Sequence, residues 1–300
     1  MRGANKHFSL FDVFNMLLML LLCIFTLYPF WYVLIHALNE GGDAVMGGIW
    51  LWPRHFTLMN FRYILSYPAL LHSLFVSIAR SILGPLVFLA VTSLAAYAMA
   101  EKHLPGRKAF TIFYMLPLFI GGTMVSNYLV MVNLGLINNF LVYIVPFAYS
   151  FFCMVVMRTF FEELPDEIEE SARMDGAGQL TIFLRIVLPL AKPMLTALFF
   201  FSVVEHWLDF YTTLLYVTNE KLYALQYVLY RIVRDTDNSG ILRDIVSSGR
   251  VPIYTQGGPR VTAEVLRMAG LVVVTFPMLI VFPFFQKHFT QGVLIGSIKG

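Results

Sequence analysis

ESARMDGAGQLTIFLRIVLP, residues 170–189, decides how the chain is read. It follows the acid-rich FFEELPDEIE of 160–169, in a sequence that is 58% hydrophobic and only 13% charged. Pro165 suits the first turn of a helix, where its missing N–H is not needed. Asp166, Glu167 and Glu169 then complement the positive end of the helix dipole. Glu169 and Arg173 stand at i and i+4 in the favourable order. Leu164, Ile168 and Ala172 form an apolar stripe at helical spacing, and Gly176 falls where a left-handed C-terminal turn would sit. Beyond it, Leu180, Phe183, Leu184 and Val187 recur at helical spacing up to Leu188-Pro189. The pattern predicts a helix, a Gly turn and a second helix feeding an apolar span. Asp175 breaks the local rule, because the C-terminal end of a helix disfavours an acid. It either marks a functional position or caps the second helix.

The charge of this segment stands out against the rest of the chain. A mean hydropathy of +0.72 over 300 residues is too high for an ordinary soluble domain, which carries about 25% charged residues. The net charge of +3 is spread out, with no basic block of the kind that grips nucleic acid. Cys23 and Cys153 both fall inside apolar runs. They read as small core residues rather than as a disulfide or a metal site. No Lys is followed by Ser or Thr, so the chain carries no phosphate-binding P-loop.

Apolar runs place six membrane spans near 14–38, 71–99, 109–132, 137–159, 191–217 and 265–286. The first is longer than the apolar core of a signal peptide and lacks a small-residue cleavage site, so it reads as a retained span. Arg2 and Lys6 in the N-terminal tail, and Lys102, Arg107 and Lys108 after span two, put those segments in the cytoplasm. Both termini and the 160–190 segment then lie inside as well. The long 218–264 loop lies outside, where its six Lys and Arg residues are nearly balanced by Glu220, Asp235, Asp237, Asp244 and Glu264. Ser247–Pro259 within it reads as a turn-laden stretch. No internal repeat is visible, which weighs against an inverted-repeat secondary transporter.

Glu170-Ser171-Ala172, three intervening residues, Gly176, nine intervening residues and then Ile186-x-Leu188-Pro189 resemble the EAA loop of ABC importer permeases. The family pattern there is E-A-A-x-x-x-G, nine residues, I-x-L-P. Ser171 for the first alanine is the departure. Pro53-Arg54-His55-Phe56-Thr57-Leu58, Asn60-Phe61-Arg62-Tyr63-Ile64-Leu65, Ala95-Ala96-Tyr97-Ala98 and the tail from Phe282 to Gly300 resemble carbohydrate permeases of the maltose-transporter type. The tail is similar to the subgroup importing polysaccharide-derived oligosaccharides such as alginate or other uronates. The resemblance implies an all-α membrane protein, the transmembrane domain of a type I importer, with a cytoplasmic helix–Gly turn–helix coupling loop. It implies that Glu170, Ser171, Ala172, Asp175, Gly176, Ile186, Leu188 and Pro189 couple to an ATPase. The implied partners are a second homologous permease, two ATPase subunits binding ATP and Mg, and a periplasmic or lipid-anchored solute-binding protein. The implied location is the bacterial inner membrane. Leu208 after Trp207 departs from the Trp-Asn often found in the family.

Ionisable groups inside a membrane cost about 2.5–3.5 kcal/mol each at a helix centre, so they face the bundle interior or a wet cavity. Arg80 in span two and Glu205, His206 and Asp209 in span five allow two readings. One is an interhelical pair of Arg80 with Glu205 or Asp209. The other is a translocation path in which Arg80 and His206 meet an anionic oligosaccharide, with Trp207 and Tyr211 stacking on its rings and Asn127, Tyr128 and Asn133 in reach. Rival classes are an ion-coupled secondary transporter with Glu205, His206 and Asp209 as a relay, and a membrane scaffold.

Overall fold

The structure, a computed structural model, describes residues 10–234 and 261–297. The described residues are almost wholly helical, and an isolated bridge between Asn39 and Phe56 is their one β feature. Two compact units emerge, one of residues 1–67 and 231–275, the other of 68–230 and 276–300.

In the first unit, α1 (Leu10–Ala37) is apolar over its whole length. Its side chains from Leu10 to Leu27, Cys23 included, are exposed, and the last turns become partly buried before Ile35. Cys23 is therefore not a core residue: a lone helix with apolar residues all round has its neighbours in lipid or in another chain. The chain leaving α1 is tied down by buried amides. Asn60, at the start of α3 (Met59–Ser66), donates to Ala37 O and Asn39 O, each at 2.8 Å. Asn39 in turn donates to Asp43 Oδ2 in α2 (Gly41–Val45) at 2.9 Å. That bond, joined by Arg54, holds the Asp43 carboxyl below the usual carboxylate range. Trp31 Nε1 donates to Leu51 O at 2.9 Å, fixing an aromatic at the end of the span.

The second unit is organised around α4 (Pro68–Ala100), which packs on α7 (Phe151–Glu162) and α11 (Lys192–Leu208). Two cores sit at different heights along α4. One gathers Val76, Leu136, Val142, Tyr143 and Val217. The other gathers Ala96, Met99, Met154, Met157, Phe161, Ile182, Phe183, Val187 and Ala191.

The spans are less regular than their hydropathy predicts. Among the described residues three helices are long and apolar enough to cross a membrane, Leu10–Ala37, Ala69–Ala100 and Ala263–Pro283. Two bent pairs raise this to five, Phe140–Phe147 with Phe151–Glu162 at 51°, and Gln179–Leu190 with Lys192–Leu208 at 82°. The span expected at 109–132 is broken into α5 (Arg107–Ile120) and α6 (Met124–Asn133). Gly121 adopts φ 50° there, and Thr123 caps α6 by accepting from Ser126 N. Neither piece alone has the roughly 20 residues a span needs. The span expected at 191–217 stops at Leu208 and resumes as α12 (Tyr211–Tyr216). The 218–264 segment is not loop throughout, because α13 (Leu225–Arg234) and the start of α14 (Ala263–Ser297) occupy its ends. Ser247–Pro259 lies outside the described residues.

Gly84 lets α4 pack directly against a side chain of α11. A Cβ built there would overlap the imidazole of His206, a side chain 4% exposed whose Nδ1 bonds Ser202 O at 2.8 Å. Gly84→Val therefore forces the two helices apart and lowers the yield of folded protein on detergent size exclusion. Combining it with His206→Ala, which vacates the space, recovers part of that yield.

Candidate functional site: a gripped loop and an aromatic outer cluster

The acid-rich segment folds as α8 (Asp166–Met174). Its end is a Schellman turn: Gly176 N donates to Arg173 O and Ala177 N to Ala172 O, both at 3.0 Å. That motif needs a left-handed residue after the helix cap, and Gly176 supplies it with φ 83°. Ala172 and Ala177 both pack on the core below, closing the turn with an apolar contact. Asp175 occupies the C-cap itself. It does not cap the next helix, α9 (Gln179–Ile182), whose N-cap is Gly178 without a side-chain bond.

After α9 the chain makes a π-helical turn, Phe183–Val187, then α10 (Leu188–Leu190). A π turn carries an extra residue and so rotates the buried face. The stripe expected from Leu180, Phe183, Leu184 and Val187 is split accordingly. Phe183 and Val187 are buried with Ile182, whereas Leu180 and Leu184 are exposed. Ile186 and Leu188 pack against the same core, and Pro189 stays exposed. Pro193, in the first turn of α11 where a missing N–H costs nothing, follows the 82° corner.

The loop is held to the end of α4 by polar contacts. Arg173 donates to Glu101 at 3.1 Å and to Glu169 at 3.4 Å, the second being the predicted i, i+4 pair. The Tyr97 hydroxyl reaches Gln179 Oε1 at 3.0 Å and Glu169 Oε2 at 3.4 Å. Its ring stacks on Phe183 at 5.0 Å. Lys102 donates to Asp166 at 2.7 Å, and Glu162 accepts from Arg158 and Arg107. The His103 N–H, with Arg173, keeps the Glu101 carboxyl below its ordinary range, and Asp166 raises the Lys102 ammonium above its own. Tyr97, Glu101, Lys102, Asp166, Glu169 and Arg173 line a cavity of about 450 Å³. Glu169 is thus engaged within the chain, while Glu170, Ser171 and Asp175 are exposed beside Met174, which is 88% exposed.

Nearer the other end of α4, Arg80 resolves the choice of pair. Its Nη1 donates to Asp209 Oδ2 at 3.2 Å and its Nη2 to Asp209 O. Its guanidinium carbon lies 5.0 Å from the Tyr143 ring centroid, and the side chain is 1% exposed. Asp209 ends α11, and its Oδ1 accepts from Thr212 N at 3.0 Å to start α12. The Tyr143 hydroxyl bonds Thr213 Oγ1 and Leu222 O at 2.8 and 2.7 Å. His206 and Trp207 are also buried. The expected residues that face open space are Asn127, Tyr128, Asn133, Glu205 and Tyr211. Tyr128 stacks on Tyr216 at 6.0 Å, and Tyr211 Oη donates to Met124 Sδ at 3.0 Å, so α6 and α12 present their aromatics together.

Sequence reading missed Tyr143, Glu101 and Asn138. Asn138, at φ 56°, accepts from Thr218 N and Asn219 N at 2.6 and 2.9 Å, pinning the segment after α12. Asn tolerates that backbone region better than most residues, but nothing in its local pattern announces the need for it.

Residues 107–295 match the family described as binding-protein-dependent transport system inner membrane component. The chain belongs to that family. This permease is 34% identical to Protein LplC of Bacillus subtilis (strain 168), over 99% of this chain and 97% of that one. It is 32% identical to the polygalacturonan/rhamnogalacturonan transport system permease protein YtcP of the same organism, over 99% of each. A crystal structure of a bacterial ABC transporter involved in the import of the acidic polysaccharide alginate shares the fold. The TM-score is 0.85 at 24% identity, covering 96% of the permease and all of that chain.

Breaking a buried ion pair by removing one partner costs about 3–5 kcal/mol, because the other charge is stranded. Arg80→Gln should therefore lower the thermal unfolding temperature of the purified permease complex in detergent. Arg80→Gln with Asp209→Asn should recover a large part of that loss. Equal stability of Arg80→Gln and wild type would show that the pair carries no such weight.

Proposed function

We propose that this chain is the permease of an ATP-driven, binding-protein-dependent importer of acidic oligosaccharides in a bacterial inner membrane. It forms the translocation path with a second, similar permease. It meets the ATPase through the 160–190 loop, and both termini lie in the cytoplasm. The observation that carries the reading is the loop itself, a capped helix and Gly turn braced on the end of α4. It leaves Glu170, Asp175, Met174 and Leu180 unburied. Large apolar side chains next to carboxylates at a turn suit a protein partner better than water or lipid.

The relative named for polygalacturonan, a polymer of an acidic sugar, supports the substrate class. The path wall is Arg80 and Asp209 behind Tyr143. Tyr128 and Tyr211, with Asn127 and Asn133, are the groups offered to sugar rings and hydroxyls. Burial of Arg80 makes it a shaper of the path rather than a direct contact. A relay for ion-coupled transport is disfavoured, because Asp209 is already committed to Arg80.

Reconstitution with the second permease, the ATPase and the binding protein tests this. Oligogalacturonate should enter proteoliposomes only with ATP, and faster than a neutral oligosaccharide of equal length. Preference for the neutral sugar would refute the substrate class, and uptake by the purified chain alone would refute the ATPase dependence. Gly176→Val holds a β-branched residue at positive φ, a strain of about 1–3 kcal/mol. Nothing lies within 4 Å of the new Cβ, so the variant should insert normally yet recover less ATPase on co-purification.

A further inference from the structure

We propose that Tyr97 and Arg173 are positioning residues that lock the loop to α4, making α4 the element through which movement of the loop reaches the Arg80–Asp209 pair. The proposal rests on the importer reading above, but on residues that reading does not need for docking.

The geometry separates two tasks among neighbouring side chains. Glu170 and Asp175 are exposed. Glu169, one residue away, is partly buried and is held by Arg173 and by Tyr97 of α4. Arg173 spans from α8 to Glu101, the residue after α4 ends. Tyr97 sits in the last turn of α4 and meets four other elements at once. Its hydroxyl meets Glu169 of α8 and Gln179 of α9, and its ring packs flat on Phe183 and edge-on to Phe161 of α7 at 6.3 Å. A tug on α8 or α9 is thereby a tug on α4.

From Tyr97 to Arg80 the helix is continuous, with Pro85 inside it, and spans roughly 25 Å at about 1.5 Å per residue. At Arg80 it is gripped a second time, by the residue that interrupts the fifth span. Displacement of α4 along its axis therefore strains the Asp209 corner, and with it α12 and its Tyr211 and Tyr216. Packed elements gripped at both ends shift between discrete arrangements rather than deform smoothly.

The test uses the whole complex with Tyr97→Phe and Arg173→Gln combined. The first keeps the ring on Phe183 and loses the hydroxyl. The second loses both charge contacts. Sugar imported per ATP hydrolysed should fall about fivefold or more, the low end of coupling between sites. ATPase co-purification and ATP hydrolysis should hold, and Arg173→Lys alone should keep most of the ratio. Amide exchange of residues 166–182 in the assembled complex should rise about tenfold, as local opening becomes easier. An unchanged ratio with unchanged exchange overturns the proposal. So does loss of ATPase recovery in step with import, which would make these residues part of the docking surface. A wild-type complex that moves no sugar at all would overturn the importer reading on which the proposal depends.

Discussion

Arg80 is a permanent cation carried by a helix that has to cross hydrocarbon, and its guanidinium has to be satisfied within the chain. That requirement organises the second unit. The counter-charge, Asp209, sits where α11 stops, and a helix end is where a backbone carbonyl is free to accept. Arg80 takes both the carboxylate and that carbonyl. The break in the fifth span is thus the means of pairing the charge. The same carboxylate starts α12, so two helices share one electrostatic anchor. Tyr143 covers the guanidinium and bonds two partners of its own, and Arg80 is almost wholly buried there.

The end of α4 that carries Tyr97 solves a different problem. The charges there are not buried deeply enough to be worth much singly: Lys102 and Asp166 are 59% and 68% exposed, and such pairs contribute little to stability. Their value lies in connection. Arg173, Glu169, Glu101, Tyr97 and Gln179 form one continuous network across three elements. Packing of Tyr97 on Phe183 gives the network a floor. In the importer role proposed for it, such a loop would need attachment more than thermodynamic stability.

The parts of the fold legible in the sequence were those governed by local rules. Pro165, the three acids of the first turn and Gly176 marked α8 and its end within a residue. Hydropathy located the three long apolar helices and the two bent pairs, because lipid demands length and composition and little else. It could not find the breaks. Gly121-Gly122-Thr123 interrupts the third stretch without lowering its hydropathy, and Asp209 interrupts the fifth for a reason that lies 129 positions earlier, at Arg80. The π turn at Phe183–Val187 likewise left the composition helical while rotating the face, so helical spacing alone did not separate buried Phe183 and Val187 from exposed Leu180 and Leu184. For the site, the pairing of Arg80 was narrowed to two acids by sequence, and geometry chose between them. The role of Tyr97 was invisible because a tyrosine at the end of an apolar span reads first as an interfacial anchor.

The contact of Gly84 with His206 has a consequence for descent as well as for folding. Two helices distant in sequence meet there with no room for a Cβ on one side and a whole imidazole on the other. Neither position can drift alone: a larger residue at 84 is admissible only after 206 has shrunk, and a smaller residue at 206 leaves a void that a larger residue at 84 would fill. Lineages of this permease should therefore hold one of two solutions, glycine facing a ring or a larger residue facing a small one. Intermediates should be scarce, and the history of this helix crossing would be written as paired replacements rather than single ones.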